Sequence, residues 1–299
     1  MSSKIKNVAV IIKPKVIGEL ATILPNLTEW LHRKKVNVAF SINDQDRIKK
    51  IYKAQLKNVS FLDFENLLKS SDLVITLGGD GTFIGVARKC NKDAPPIFGV
   101  NMGRLGFITE FSKHEFYESL AQTLEGKFET LKLNLFQVQV FKKEKSLFKG
   151  HFLNDAVVNK NDISRMFTLA VESEDENIYN LAGDGLIISS PIGSTAYSLA
   201  AGGPIIHPSV GSMALTPICA HSLTHRPMVI SDRSKIFVRP LQESGVITLT
   251  LDGQEAYDLK PGERIQITRS SRFVTLVKNP ERTYYHTLKE KFKHGRRDA

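Results

Sequence analysis

Short apolar runs alternate with helix-like stretches through the first part of the chain: Val8 to Ile12, Ile17 to Arg33, Val36 to Phe40, Leu73 to Leu77 and Ile97 to Val100. Short aliphatic and β-branched runs alternating with helical periods predict an α/β sheet. Pro25 interrupts the first helical stretch, because proline has no N–H and its ring crowds the carbonyl four residues earlier. Lys113 to Lys127 is a better helix, with Phe116, Leu120 and Leu124 spaced by four on one face. From about residue 131 the period becomes two. Leu133 and Leu135, Val138 and Val140, Phe167, Leu169 and Val171, Ile247, Leu249 and Leu251, Ile265 and Ile267, and Phe273 followed by Leu276 stand among polar neighbours. That pattern belongs to antiparallel strands with one face buried, so an all-β, sandwich-like C-terminal domain is expected. Arg282 to Lys293 reads as a helix again, expected to return to the first domain. The expected organisation is an α/β nucleotide-binding domain over 1–128, a β-rich domain over 129–280, and a C-terminal helix with a basic tail over 281–299.

With 299 residues, 41% of them hydrophobic, the chain can fill the cores of two domains. The net charge of +10 suits polyanionic substrates or nucleic acid. Much of it sits in the tail (Lys289, Lys291, Lys293, Arg296 and Arg297), where a solvated terminus is the plainer reading. No nucleic-acid motif is present, so no nucleic-acid partner is expected. Two cysteines far apart, Cys90 and Cys219, point to a reducing compartment. The histidines lack metalloprotease spacing, and neither a signal peptide nor an apolar run of membrane-spanning length stands in the sequence. A cytoplasmic protein with no membrane partner is expected.

The candidate chemistry begins at Leu77-Gly78-Gly79-Asp80-Gly81-Thr82, where a buried-looking strand runs into a glycine-rich turn holding one carboxylate. Such turns let main-chain N–H groups approach a phosphate, since glycine has no Cβ in the way. No Gly-Lys-Ser/Thr follows, and Ile84 stands where a dinucleotide fingerprint needs its third glycine. Asp80 is either a reacting carboxylate or a cap for the following helix. Asn101 to Phe107 follows the next strand, so two glycine-bearing loops meet the carboxyl ends of consecutive strands, where open α/β sheets bind ligands. Phe107 there either stacks on a base or packs in the core. Asn154-Asp155 reads as a polar pair inside an apolar strand that must find partners, in a ligand or a neighbouring turn. In the segment Gly183 to Pro204, a strand ends in a Pro/Gly turn, after which Ser194 or Thr195 would cap a short helix of small residues.

Taken in order, Gly78 to Thr82, Asn101 to Phe107, Asn154-Asp155, Asp184 to Gly203, Arg226-Pro227 and Asp252-Gly253-Gln254 resemble the NAD kinase family over most of the chain. The first motif is shared with lipid and sugar kinases of the wider superfamily, which are the alternative; the long segment Asp184 to Gly203 is more specific. The resemblance implies transfer of the γ-phosphate of ATP, or of polyphosphate in some members, to the 2′-hydroxyl of the adenosine ribose of NAD. It implies that Asp80 is the general base and that Gly81 lies against the nucleotide, with Phe107 nearby. Asn154 and Asp155 would bind ribose hydroxyls, Asp184 the nicotinamide end, and Thr195, Ala196, Tyr197, Ser198, Leu199 and Ala200 would hold NAD at the domain junction. Arg165, Ala182 and Gln254 also stand where members contact the dinucleotide. Asp155 replaces the Glu of many members, and Ala182 the basic residue of some bacterial ones. Magnesium would bind through the phosphates, since the sequence carries no metal motif. A homodimer or homotetramer is implied as well.

Overall fold

Two different hydrophobic periods produce two different units. The computed structural model describes residues 4–14, 18, 20–52, 58–103, 106–160, 167–174, 176–222, 224–241 and 246–292. One unit comprises Met1–Lys132 with Val274–Ala299, the other Leu133–Phe273. The elements run β1 (Asn7–Ile12), α1 (Leu20–Arg33), β2 (Asn37–Ser41), α2 (Gln45–Tyr52), β3 (Val59–Leu62), α3 (Phe64–Lys69), β4 (Leu73–Gly78), α4 (Asp80–Ala87), β5 (Ile97–Asn101), β6 (Phe111–Ser112), α5 (Phe116–Leu124) and β7 (Thr130–Lys142). There follow β8 (Lys145–Phe152), β9 (Asp155–Lys160), β10 (Phe167–Ser173), β11 (Glu176–Gly183), β12 (Gly185–Ser189), α6 (Tyr197–Ala200), β13 (Ser212–Ile218), β14 (Met228–Ser231), β15 (Ile236–Pro240), β16 (Ile247–Leu251), β17 (Glu255–Leu259), β18 (Glu263–Val277) and α7 (Tyr284–Phe292).

In the first unit the parallel order is β5-β4-β1-β2-β3, with the end of β18 beside β5. The chain winds one way from β1 and the other way from β4, so β1 and β4 flank the point where the order reverses. In register, Gly78 at the end of β4 lies opposite Asn101 at the end of β5, which brings the two glycine-bearing loops side by side. Pro25 does not interrupt α1, correcting the expectation. The helix is continuous because Leu20, Leu24, Leu27 and Leu31 form one buried stripe, and only a single early hydrogen bond is forfeited at Pro25.

The second unit is a pair of sheets around one core. One sheet runs β14-β13-β12-β9-β16-β17, all antiparallel; in the other, β11-β10-β15-β18 is antiparallel and β7 joins β18 to β8. Alternate residues meet between them: Ala156 and Val158, Leu186 and Ile188, Leu249 and Leu251 from one sheet, Leu169 and Val171, Val238, Ile265 and Ile267 from the other. Asn154 is not inside a strand, as the apolar run suggested. It lies in the bend between β8 and β9, with Asp155 opening β9. No helix among the described residues is long and apolar enough to cross a membrane.

Leu249, wholly buried in the sandwich core, should be costly to truncate: Leu249→Ala is expected to lower stability by about 2–5 kcal/mol in urea titrations. Val246→Ala, just before the same strand but half-exposed, should change it by no more than about 0.5 kcal/mol.

Candidate active site

Asp80 is the first residue of α4, after Gly79, whose extended backbone makes the N-cap without a side-chain hydrogen bond. Asp80 does not spend its carboxylate on capping. Oδ2 accepts from the Phe107 N–H at 2.8 Å; Oδ1 accepts from the N–H groups of Ile108 (3.2 Å) and Thr109 (2.9 Å) and from Thr109 Oγ1 (2.9 Å). The Thr109 hydroxyl is set in turn by Asn101 Nδ2 at 2.9 Å, while Asn101 Oδ1 receives the Gly103 N–H at 2.8 Å. Each carboxylate oxygen offers about two acceptor directions; three donors crowd Oδ1 while one reaches Oδ2, so among the described residues Oδ2 retains one. The loop approaches closely only because residue 106 is glycine: a Cβ there would stand 2.0 Å from Asp80 Oδ1. Gly81 lies exposed on the first turn of α4. The Phe107 ring is half-buried and packs against Phe292 of α7, with centroids 5.8 Å apart, so its role in this structure is packing.

In the second unit the site gathers around β9. Ala156 and Val158 face the core, which by the two-residue period turns Asp155, Val157 and Asn159 to the other side. There, with Asn154, Ala196, Tyr197, Thr250, Asp252 and Gly253, they line a cavity of about 390 Å³. The bend carrying the Asn-Asp pair is held by Asp252: Oδ2 accepts the Leu153 N–H at 2.8 Å, and Oδ1 those of Asn154 and Asp155 at 2.7 and 3.0 Å. Asp252 adopts φ +52° and Gly253 φ +63°, the tight turn that aims the carboxylate back at the bend. Sequence reasoning gave Asp252 no role; the signal was an Asp-Gly turn after a strand. With its main chain fixed, Asn154 presents a buried Oδ1 that has no hydrogen-bond partner. An acceptor left so is costly, about 1–3 kcal/mol, unless a ligand hydroxyl or amine reaches it.

The segment after β12 departs from expectation. Ile192–Thr195 forms a 3-10 turn before α6, and neither Ser194 nor Thr195 caps α6; its N-cap is Ala196, without a side-chain bond. Ser194 Oγ donates to the Pro191 carbonyl and accepts the Ile206 N–H, and Thr195 Oγ1 donates to the Ile192 carbonyl, so both hydroxyls brace the turn itself. The turn presses on the bend: a Cβ at Gly193 would lie 2.0 Å from the Asn154 carbonyl oxygen. Ser198 turns its hydroxyl inward to Thr216, at 2.9 Å. Leu199 and Ala200 complete α6, and Tyr197 stands half-exposed on the cavity wall.

Asp184, between β11 and β12, pairs with Lys160 at the end of β9, Nζ to Oδ1 3.0 Å. That hydrogen bond holds its carboxyl below the usual aspartate range. Lys160 is a contact that sequence reasoning missed, since sheet pairing brings the two together. Ala182 is half-buried on β11, its carbonyl accepting the His221 N–H, and Gln254 is exposed in the turn after Asp252. Arg165 lies outside the described residues.

Two family models match the chain: the ATP-NAD kinase N-terminal domain over residues 8–128 and the ATP-NAD kinase C-terminal domain over 153–279. The NAD kinase of Geotalea daltonii is 36% identical over 295 residues, covering 98% of this chain and 100% of its own. A yeast NADH kinase solved with NADH superposes with a TM-score of 0.89 at 25% identity, covering 99% of this chain and 90% of that one. An NAD kinase from Archaeoglobus fulgidus solved with ATP gives 0.73 at 26% identity, covering 96% and 98%.

The Asp155 carboxyl, 5% exposed, is pushed up to about 7, first by burial and then by the charge of Asp252 beside it. The folded protein therefore keeps a proton that the unfolded chain releases above the ordinary value of 3.8. Its stabilising contribution is full below that value and is lost as the pH rises to about 7. Asp155→Asn should remove the loss, gaining stability relative to the wild type between about pH 5 and about pH 8 in denaturant titrations. An unchanged difference would contradict the assignment.

Proposed function

The chain belongs to the NAD kinase family, and from that premise we propose how its residues share the work of moving the γ-phosphate of ATP to the 2′-hydroxyl of the adenosine ribose of NAD. A ribose hydroxyl is a poor nucleophile, so the protein's main contributions are a base within about 3 Å of the proton and placement of the phosphoryl group in line. Asp80 is the base. The observation that carries this role is its carboxylate, fixed by three successive main-chain N–H groups while Oδ2 keeps room to accept one more. Gly81 leaves the start of α4 open to the nucleotide, and the positive end of the helix favours phosphate there.

The second unit holds the dinucleotide. Asn154 Oδ1 and Asp155 accept ribose hydroxyls, which answers the unpartnered acceptor in the cavity. Tyr197 and Ala196, on the same wall, cover the adenine, and Asp184 takes the nicotinamide end. Thr195, Ser198, Leu199 and Ala200 support that wall, with Phe107, Arg165, Ala182 and Gln254 as further contacts. Among the described residues no group of three or more His, Cys, Asp or Glu side chains could hold a metal ion. Mg²⁺ would be held through the nucleotide's phosphates, where it would neutralise charge on the transferring group. The edge strand β14, with Met228 and Val229 exposed, offers a second copy a place to pair, so a homodimer or homotetramer belongs to the same reading.

Incubation with ATP, Mg²⁺ and NAD, read by an NADP-specific dehydrogenase, should yield NADP; no NADP, with turnover of diacylglycerol or fructose 6-phosphate instead, would favour a wider-superfamily kinase. Asp80→Asn should lower turnover ~100-fold or more while NAD binding is largely kept, because the base is lost whereas the groups proposed to hold NAD lie on β9 and α6. Asp184→Ala should weaken NAD binding in calorimetry; an unaltered dissociation constant would remove it from the site.

A further inference from the structure

The loop that seats Asp80 is itself held from the far end of the sequence. After β18, Asn279 donates twice to Glu110, its main-chain N–H to Oε2 at 2.9 Å and its Nδ2 to the Glu110 carbonyl at 3.2 Å. Arg282 then donates to Glu290 of α7 at 3.1 Å, tying the turn to the helix. From α7 the Phe292 ring lies 5.8 Å from that of Phe107, and Lys291 Nζ stands 5.9 Å from the Phe107 ring centre. Both distances fall in the range of favourable aromatic and cation–π contacts. Residue 107, at one end of the 107–109 segment whose N–H groups grip Asp80, and residue 110, just past its other end, are therefore each held by residues far along the chain, Asn279 lying 169 positions after Glu110. Burial raises the Glu110 carboxyl, the Asn279 N–H, Lys278 and Arg282 oppose that rise, and the Asp80 charge adds to it, which marks how closely seat and clamp are packed.

We propose that the carboxy-terminal segment from Asn279 to Phe292 positions the catalytic base: Phe292 and Asn279 act through Phe107 and Glu110 to fix the 106–110 loop, and with it the Asp80 carboxylate. Neither residue touches a substrate in this account, so both are positioning residues. The inference rests on the reading of Asp80 as base. Geometry alone motivates it, since a base displaced by a fraction of an ångström loses rate without losing substrate affinity.

The test uses full-length Phe292→Ala and Asn279→Ala, with Phe292→Leu as the conservative replacement. For the alanine variants, kcat is expected to fall ~10-fold with KM for NAD and for ATP within about twofold, and Phe292→Leu should recover most of the rate. Hydrogen exchange of the 106–110 peptide, followed by mass spectrometry, should quicken ~10-fold in the alanine variants while peptides from the second unit keep their rates. A wild-type kcat in both alanine variants overturns the proposal, as does exchange at 106–110 that stays at the wild-type rate. Should Phe292→Ala fail to fold, Asn279→Ala decides alone. Should the wild type make no NADP, the parent reading falls, and the exchange measurement still decides whether the C-terminal segment holds the loop.

Discussion

A carboxylate that accepts from three consecutive main-chain N–H groups can move only if their loop moves. Asp80 is bound to Phe107, Ile108 and Thr109 in this way, and the contacts around it in the first unit hold that loop in place. The parallel pairing of β4 with β5 sets Gly78 beside Asn101, Asn101 sets the Thr109 hydroxyl, and the hydroxyl donates to the same carboxylate. Glycine at 106 is a steric requirement of this arrangement, since any side chain would occupy the space of Oδ1. Charge-assisted bonds of this kind are about twice as strong as neutral ones.

The second unit uses the same device with the roles divided. Asp252 grips the N–H groups of residues 153–155, but the groups that face the cavity are its neighbours'. Holding the bend so firmly denies Asn154 Oδ1 an internal partner and keeps Asp155 buried near a second carboxylate. Both features cost stability in the absence of ligand, a cost that the proposed ribose, with its several hydroxyls, would offset. The pressure of Gly193 on the Asn154 main chain joins the turn after β12 to the same bend, so the long motif and the Asn-Asp pair pack against each other within the unit.

Much of the fold was legible because the periods differ so plainly. The strands Leu73 to Leu77 and Ile97 to Val100 are buried on both faces and read as unbroken apolar runs, and the alternation at Leu249 and Leu251 or Ile265 and Ile267 marks half-buried strands. The elements α2, β3 and α3 were not legible. Helix α2 buries only Ile48 and Ile51 among charged residues, and β3 has no fully buried residue, so their order comes from neighbours more than from pattern. Pro25 misled for the converse reason, since local propensity yielded to a leucine stripe packed on the sheet.

The chain's sequence by itself determined the two classes of unit, the carboxylate at the glycine-rich turn and the kinship of its motifs, because periodicity, glycine placement and residue chemistry are local properties. Only the tertiary structure decided which lone pairs remain available. That Asp80 leans on residues 107–109 instead of capping α4, that Asp252 organises residues 153–155, that Lys160 pairs with Asp184, and that Asn279 and Phe292 meet Glu110 and Phe107 are all contacts between distant positions. Such contacts depend on strand register and on the path of the chain between elements. No window of sequence contains both partners, so the physics that joins them appears only once the sheets have formed.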